Sequence, residues 1–214
     1  MYKYVTDKTY LSLLRSTCGE MMQELCHVLK EEFDIGATPR LIGSGSRKLI
    51  TQNGNESCDL DYDLEINKCY DYEDCRYIKE SVRKSFNFVL HRHNWGDCSD
   101  SVHSLGTENR FFTKCTNKTP FSIDVGIVCR DEDGNYYRLI HNRNWARDEY
   151  YWNQARDSRE VKKKCRYIYQ KGKWEMVRDK YLELKNMYLR RGDRDHPSFI
   201  CYIEAVNNVY DRIK

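Results

Sequence analysis

The segment DLDYDLEI, residues 59–66, sets three aspartates, Asp59, Asp61 and Asp63, two positions apart. Their alternation with Leu60, Tyr62 and Leu64 is the pattern of a strand with one wet and one dry face, so the three carboxylates point the same way. Like charges stacked on one strand face repel and have poor β propensity, so something positive must compensate them. A metal ion would do so. An EF-hand calcium loop is excluded, because its sixth and twelfth positions require Gly and Glu where this chain has Leu64 and Tyr70. Mg²⁺ fits better: it takes one or two carboxylates and fills its octahedron with water and substrate phosphates.

A further carboxylate stands in FSIDVGIV, residues 121–128. Here Ile123, Val125 and Ile127 form one face and Ser122, Asp124 and Gly126 the other, leaving Asp124 as the one charge on a buried strand. Two aspartates on one strand and one on its neighbour can hold two Mg²⁺ ions. Such ions activate an attacking oxygen and stabilise a leaving pyrophosphate during in-line displacement at phosphorus. Upstream, GSGS at 43–46 offers exposed backbone N–H groups and the hydroxyls of Ser44 and Ser46, a turn able to nest phosphate oxygens. It is neither a P-loop nor a Gly-x-Gly-x-x-Gly fingerprint.

The elements that position these groups follow from periodicity. Leu11, Leu14, Cys18, Met21, Leu25 and Val28 make an apolar stripe along a first helix, and Cys75, Ile78, Val82, Phe86 and Val89 along a second. RDEDGN carries an Asp-Gly turn that joins FSIDVGIV to the strand YYRLIH as a hairpin. Beyond about residue 141 the strand pattern ends. Trp174, Val177, Tyr181, Leu184 and Tyr188 form one helical stripe, and Phe199, Tyr202, Val206, Val209 and Ile213 another, with Pro197 at its start. The expected architecture is α+β: a small mixed sheet with packed helices over 1–140, then a helical C-terminal lobe over 141–214.

At 214 residues, with 40% hydrophobic and 32% charged residues, the chain can bury one substantial core, or one core and a small lobe. It has no apolar run able to span a bilayer and no secretory signal, so it is expected to be cytoplasmic. Ten cysteines are scattered without a C-x-x-C pair and read as small buried hydrophobes. Lys+Arg 36 against Asp+Glu 33 is too balanced for a general nucleic-acid coat. Locally, acids concentrate in 59–65, and the cations Lys162, Lys163, Lys164 and Arg166 suit either polyphosphate or RNA, or a solvated helix face. Tyr167 and Tyr169 could stack on a base; Trp174, at helical spacing, reads as core. His91, His93, His103, His141 and His196 form no motif and receive no chemistry.

Gly43-Ser44, then Asp61-Tyr62-Asp63 running into an apolar strand end, then a later strand bearing Asp124, resembles the nucleotidyltransferase superfamily related to DNA polymerase beta. The likeness covers roughly residues 10 to 140. It implies a nucleoside triphosphate donor, ATP first among them, and transfer of its nucleoside monophosphate to a hydroxyl or phosphate acceptor with release of pyrophosphate. By the same resemblance Gly43, Ser44 and Ser46 hold the nucleotide's phosphates, Asp61 and Asp63 bind Mg²⁺ or Mn²⁺, and Asp124 binds the catalytic ion and helps deprotonate the acceptor. The metal pair is open to a second reading as Asp59 and Asp61. Asp61 and Asp63 are preferred because DLEI continues as the expected apolar strand end, which leaves Asp59 outside the ligand set. The interval from Gly43 to Asp61, lengthened by TQNGNE as an inserted turn, is similar to the oligoadenylate and cyclic-dinucleotide synthase branch. The acceptor, whether small molecule, nucleotide, RNA or protein, is not legible. The same fold could also serve as a non-catalytic nucleotide- or RNA-binding module working through a partner.

Overall fold

A computed structural model of the chain describes residues 1–144, 147–155, 158–193 and 197–214. His196 and part of the turn GDRDHP lie outside them. Two compact units divide the chain: residues 6–50 with 56–155, and residues 1–5 with 51–55 and 156–214.

The larger unit is built on a seven-stranded mixed sheet. Its strands are β2 (Gly36–Leu41), β4 (Cys58–Lys68), β5 (Ser99–Asp100), β6 (Leu105–Gly106), β7 (Phe121–Arg130), β8 (Tyr136–Asn144) and β9 (Arg147–Gln154). The central pair, β4 and β7, runs parallel, and β2 lies antiparallel on the other side of β4. The free edge of β7 takes two partners in succession: β6 opposite Asp124 and Val125, then β8 opposite residues 128–130. β9 pairs with β8 along its length.

Helices α1 (Lys8–Phe33) and α3 (Cys75–Arg92) carry the predicted stripes, buried at every named position except the half-buried Leu11. Each starts on an aspartate cap: Asp7 accepts from Tyr10 N at 3.0 Å and Asp74 from Tyr77 N at 2.9 Å, as orphan N–H groups require. Leu60, Leu64, Ile123 and Val125 are wholly buried on the dry face of the sheet. With the dry face committed to the core, the register of β4 is pinned and its aspartates are held on the other face.

The strand pattern does not end at residue 141. β8 runs on to Asn144, and RDEYYWNQ forms β9, a half-exposed edge strand whose charges hide its alternation. The Asp-Gly hairpin between β7 and β8 forms as expected, with Gly134 at φ +77° and its N–H on Asp131 O at 3.0 Å.

The smaller unit contains α4 (Arg159–Gln170), α5 (Trp174–Arg191) and α6 (Ser198–Ile213), with a two-stranded sheet of β1 (Tyr2–Tyr4) and β3 (Thr51–Asn53). TQNGNE is thus more than a turn: its first three residues form β3. Asn186 of α5 completes β1, accepting from Tyr2 N at 2.7 Å and donating to Tyr2 O at 3.1 Å. Trp174, Val177, Tyr181 and Leu184 are buried as the stripe predicts. Phe199, expected on the buried face of α6, is 54% exposed, because that face is carried by Cys201, Tyr202, Ala205, Val206 and Val209. Among the described residues no helix is long and apolar enough to cross a membrane, and the ten cysteines are free, six of them buried.

Candidate active site

Asp59, Asp61, Asp63 and Glu65 share one face of β4, and across the parallel ladder Asp59 stands beside Ser122, Asp61 beside Asp124 and Asp63 beside Gly126. The structure therefore makes Asp61 and Asp124 cross-strand neighbours, as the alternation of both strands requires.

Electrostatics divides this row in two. Asp63 Oδ1 accepts from Arg138 Nη2 at 2.6 Å, and both Asp63 and Glu65 are nearly buried. Glu65 is met by Arg130 Nε at 2.9 Å and by Arg40 Nη2 at 2.9 Å. The C-terminal half of the acidic face is thus neutralised by three arginines. Gly126 leaves room for this pair: a Cβ there would lie 2.0 Å from Arg138 Nη1, so a side chain would require the guanidinium crossing β7 to shift.

The N-terminal half has a different environment. Asp59 accepts a 2.7 Å hydrogen bond from Ser122 Oγ. Burial, then the charges of Asp59 and Asp61, push the Asp124 carboxyl up to about 6. Burial and the Asp59 charge likewise raise Asp61, with Arg47 pulling the other way. Burial raises Asp63 as well, but there the opposing pull comes from the Arg138 ion pair. The carboxylate that acts most strongly on both Asp61 and Asp124 is Asp59, so the mutually repelling set is Asp59, Asp61 and Asp124. Asp63, preferred over Asp59 as partner of Asp61 in the sequence reading, is held in an ion pair with Arg138.

Two glycines shape the same pocket of charge. Gly43 opens α2 (Gly43–Arg47) at φ +59°, and a Cβ on it would fall 2.0 Å from Asp61 Oδ2. Ile42 N bonds Asp61 O at 2.8 Å, which ties the Gly-Ser turn to the acidic strand. Gly106 pairs with Asp124, and a Cβ there would lie 2.8 Å from Asp124 Oδ1. Ser46 Oγ donates back to Gly43 O at 3.1 Å, and Arg47 Nη1 donates to the same carbonyl at 2.8 Å. Ser44 O accepts from Leu49 N at 2.9 Å. The turn is thereby fixed against Asp61. Among the described residues, no three or more His, Cys, Asp or Glu side chains form a group that could hold a metal ion.

In the other unit the basic segment divides. Lys164 is engaged inside it, with Nζ on Asn207 Oδ1 at 2.9 Å, while Lys162, Lys163 and Arg166 are exposed. Tyr169 stacks on the buried Trp174 at 4.1 Å between ring centroids. Sequence reading missed His141 altogether: it is 2% exposed and has carboxylate oxygens at both ring nitrogens. Its isolation in the sequence gave no sign, since its partners lie on other elements.

The sequence matches no protein-family model and no curated protein. Solved structures do match. The STING-associated CdnE c-di-GMP synthase of Capnocytophaga granulosa superposes with a TM-score of 0.60 at 13% identity, over 96% of this chain and 61% of that one. The Vibrio cholerae DncV cyclic AMP-GMP synthase, solved with the linear intermediate 5′ pppA(3′,5′)pG, gives 0.57 at 12%, over 85% and 48%. CdnC of E. coli MS115-1, solved with ATP, gives 0.53 at 15%, over 94% and 61%. The chain has the nucleotidyltransferase fold. Its structural neighbours are of the cyclic-dinucleotide synthase branch, as the motif spacing led one to expect, and it spans less than two thirds of their length.

Proposed function

We propose that this chain is a divalent-metal-dependent nucleotidyltransferase, which moves a nucleoside monophosphate from an NTP to a hydroxyl acceptor and releases pyrophosphate. The observation that carries this reading is the contrast along an acidic strand face: Asp59, Asp61 and Asp124 repel one another beside the Gly43-Ser44 turn, opposed at Asp61 by the charges of Arg47 and Arg138, while Asp63 and Glu65 are held in direct arginine ion pairs. A cation placed there would relieve the repulsion among these three charges.

The donor set is hard carboxylate oxygen, the chemistry that Mg²⁺ and Mn²⁺ take; the side chains are not gathered into a ligand cluster as they stand, and Asp59, Asp61 and Asp124 are those a bound ion would draw together. Bound there, it supplies charge neutralisation at the transferring phosphoryl group and acidifies the attacking hydroxyl. The protein's own part is positional. Gly43 lets the turn lie against Asp61, so phosphates resting on the turn stand next to the carboxylates. Asp124, beside Asp61 on the neighbouring strand, would take the proton that the hydroxyl gives up. Asp63 keeps Arg138 in place and touches neither substrate. The cyclic dinucleotides named for two of the neighbours, the c-di-GMP synthase and the cyclic AMP-GMP synthase, favour the hydroxyl of a second nucleotide as acceptor.

The test is incubation with each α-labelled NTP, singly and in pairs, with Mg²⁺ or Mn²⁺. Pyrophosphate release and a phosphodiester product that vanish in Asp61→Asn are expected. Failure of the folded wild type to release pyrophosphate from any NTP, with nucleotides and a broad acceptor set present, overturns the reading in favour of a non-catalytic nucleotide-binding module.

A further inference from the structure

A second charged cluster lies in the larger unit, and it is almost wholly buried. Lys79 of α3, Asp100 of β5 and His141 of β8 have side chains 2%, 6% and 1% exposed. Removing such groups from water costs several kcal/mol per ion, recovered only when geometry is good and every remaining donor and acceptor is met. Here it is good. Lys79 Nζ lies 2.6 Å from Asp100 Oδ1 and donates to Ser101 O at 2.9 Å. Asp100 Oδ2 faces His141 Nδ1 at 2.9 Å and accepts from Arg143 Nη2 at 2.6 Å. On the other side of the ring, His141 Nε2 meets Asp148 Oδ1 at 2.5 Å, and Tyr150 stacks on the imidazole at 3.9 Å.

The location matters more than the strength. β6 and β8 occupy successive stretches of the same edge of β7, and neither pairs with the other. The cluster joins them: Asp100 belongs to the β5–β6 hairpin, His141 to β8, and His141 N also bonds Val102 O at 3.0 Å within the loop of that hairpin. Strands of two residues are far below the length that holds itself together, so this hairpin depends on outside anchors. Its far end is the wall of the candidate site. Gly106 is opposite Asp124, where a Cβ would lie 2.8 Å from Asp124 Oδ1 and displace that carboxylate, and Ser99, next to Asp100, donates Oγ to Gly106 O at 3.1 Å.

We infer that Lys79, Asp100 and His141 are positioning residues for Asp124: they anchor the β5–β6 hairpin, and the hairpin's Gly106 fixes where the Asp124 carboxylate rests. This inference rests on the nucleotidyltransferase reading for its catalytic consequence, though not for its structural one. The Gly43-Ser44 turn lies against Asp61 of β4 and the hairpin against Asp124 of β7, so loosening the hairpin should lower kcat and leave the KM for NTP within about twofold. Misplacement by an ångström at such a site costs roughly 10- to 100-fold.

The test uses the full chain and two independent readouts. Lys79→Met/Asp100→Leu replaces the buried pair by apolar groups of similar volume, a change that buried ion pairs tolerate. In the folded variant, kcat should fall roughly 10- to 100-fold at nearly constant KM. Amide hydrogen exchange at Gly106 and Thr107 should accelerate at least tenfold while the β4–β7 amides stay protected. Arg143→Ala, which removes an exposed tie to Asp100 and leaves no buried cation unpaired, should lose kcat several-fold and be restored by Arg143→Lys; it serves also if the double variant does not fold. An inactive wild type overturns the transferase reading, and the exchange measurement then decides this inference alone. Unchanged protection at Gly106 and Thr107 in a folded variant, or an unchanged kcat in an active one, overturns it.

Discussion

Asp124→Asn is expected to abolish activity and, in the absence of metal, to make the chain more stable at neutral pH. The two effects have one cause. Asp124 lies half-buried on the central strand pair with Asp59 and Asp61 beside it, and its carboxyl is raised to about 6. An Asp in the unfolded chain titrates near 3.9, and each unit of difference corresponds to about 1.4 kcal/mol. Ionising Asp124 in the folded chain therefore costs up to roughly 3 kcal/mol. The sign follows from proton counting. Between about pH 4 and pH 6 the folded chain binds more protons than the unfolded one, so stability falls as pH rises through that window and the loss is complete above it.

Asn has the same shape and no charge, so the cost disappears in the variant, as does one repulsion felt by Asp61. Urea unfolding in EDTA at pH 4.5 and pH 7.5 measures the effect. The variant's advantage over wild type should be small at the lower pH and grow toward a ceiling of roughly 3 kcal/mol at the higher. Mg²⁺ should then reverse the order by stabilising wild type alone, since only it keeps the full carboxylate set. A variant less stable than wild type by the same amount at both pH values would refute the reasoning, because Asp124 would then be contributing native contacts and no electrostatic strain.

The division of the acidic face makes a second contrast. Asp59→Asn should lower kcat by roughly two orders of magnitude or more, the scale of losing a strong electrostatic stabiliser. Asp63→Asn should leave kcat within a few-fold of wild type while costing about 2 kcal/mol of stability, because Arg138 loses its carboxylate; steady-state pyrophosphate release and urea unfolding of both variants decide it. Gly43→Ala places a Cβ on Asp61 Oδ2 at a φ of +59°, a backbone cost of about 1–2 kcal/mol, and turnover should drop at least tenfold with the far-UV spectrum unchanged. In the smaller unit, Asn186→Ala leaves both backbone groups of Tyr2 without their side-chain partner. It should cost about 1–2 kcal/mol and lower Tm by roughly 2–4 °C in a thermal scan, with kcat at 25 °C unaffected.

Periodicity was enough to read α1, α3, α5, β4 and β7 from the sequence, because each buries one face and a buried face leaves a repeating apolar pattern. It fails at β9, whose half-exposed residues alternate without an apolar side, and at β3, three residues long and dependent on β1 some fifty positions earlier. The candidate site shows the same limit in sharper form. Alternation puts Asp59, Asp61 and Asp63 on one face and cannot rank them, since a period of two treats all three alike. What ranks them is which carboxylate meets a cation. Arg138 is 75 positions from Asp63, and Gly126, which gives it passage, looks in the sequence like an ordinary small residue on the polar face of FSIDVGIV. His141 was invisible for the same reason, its carboxylates coming from Asp100 and Asp148 on separate strands. The proposed choice of Asp59 over Asp63 thus rests less on the motif than on the direct arginine ion pairs that Asp63 and Glu65 make, and that distinction exists only once the chain has folded.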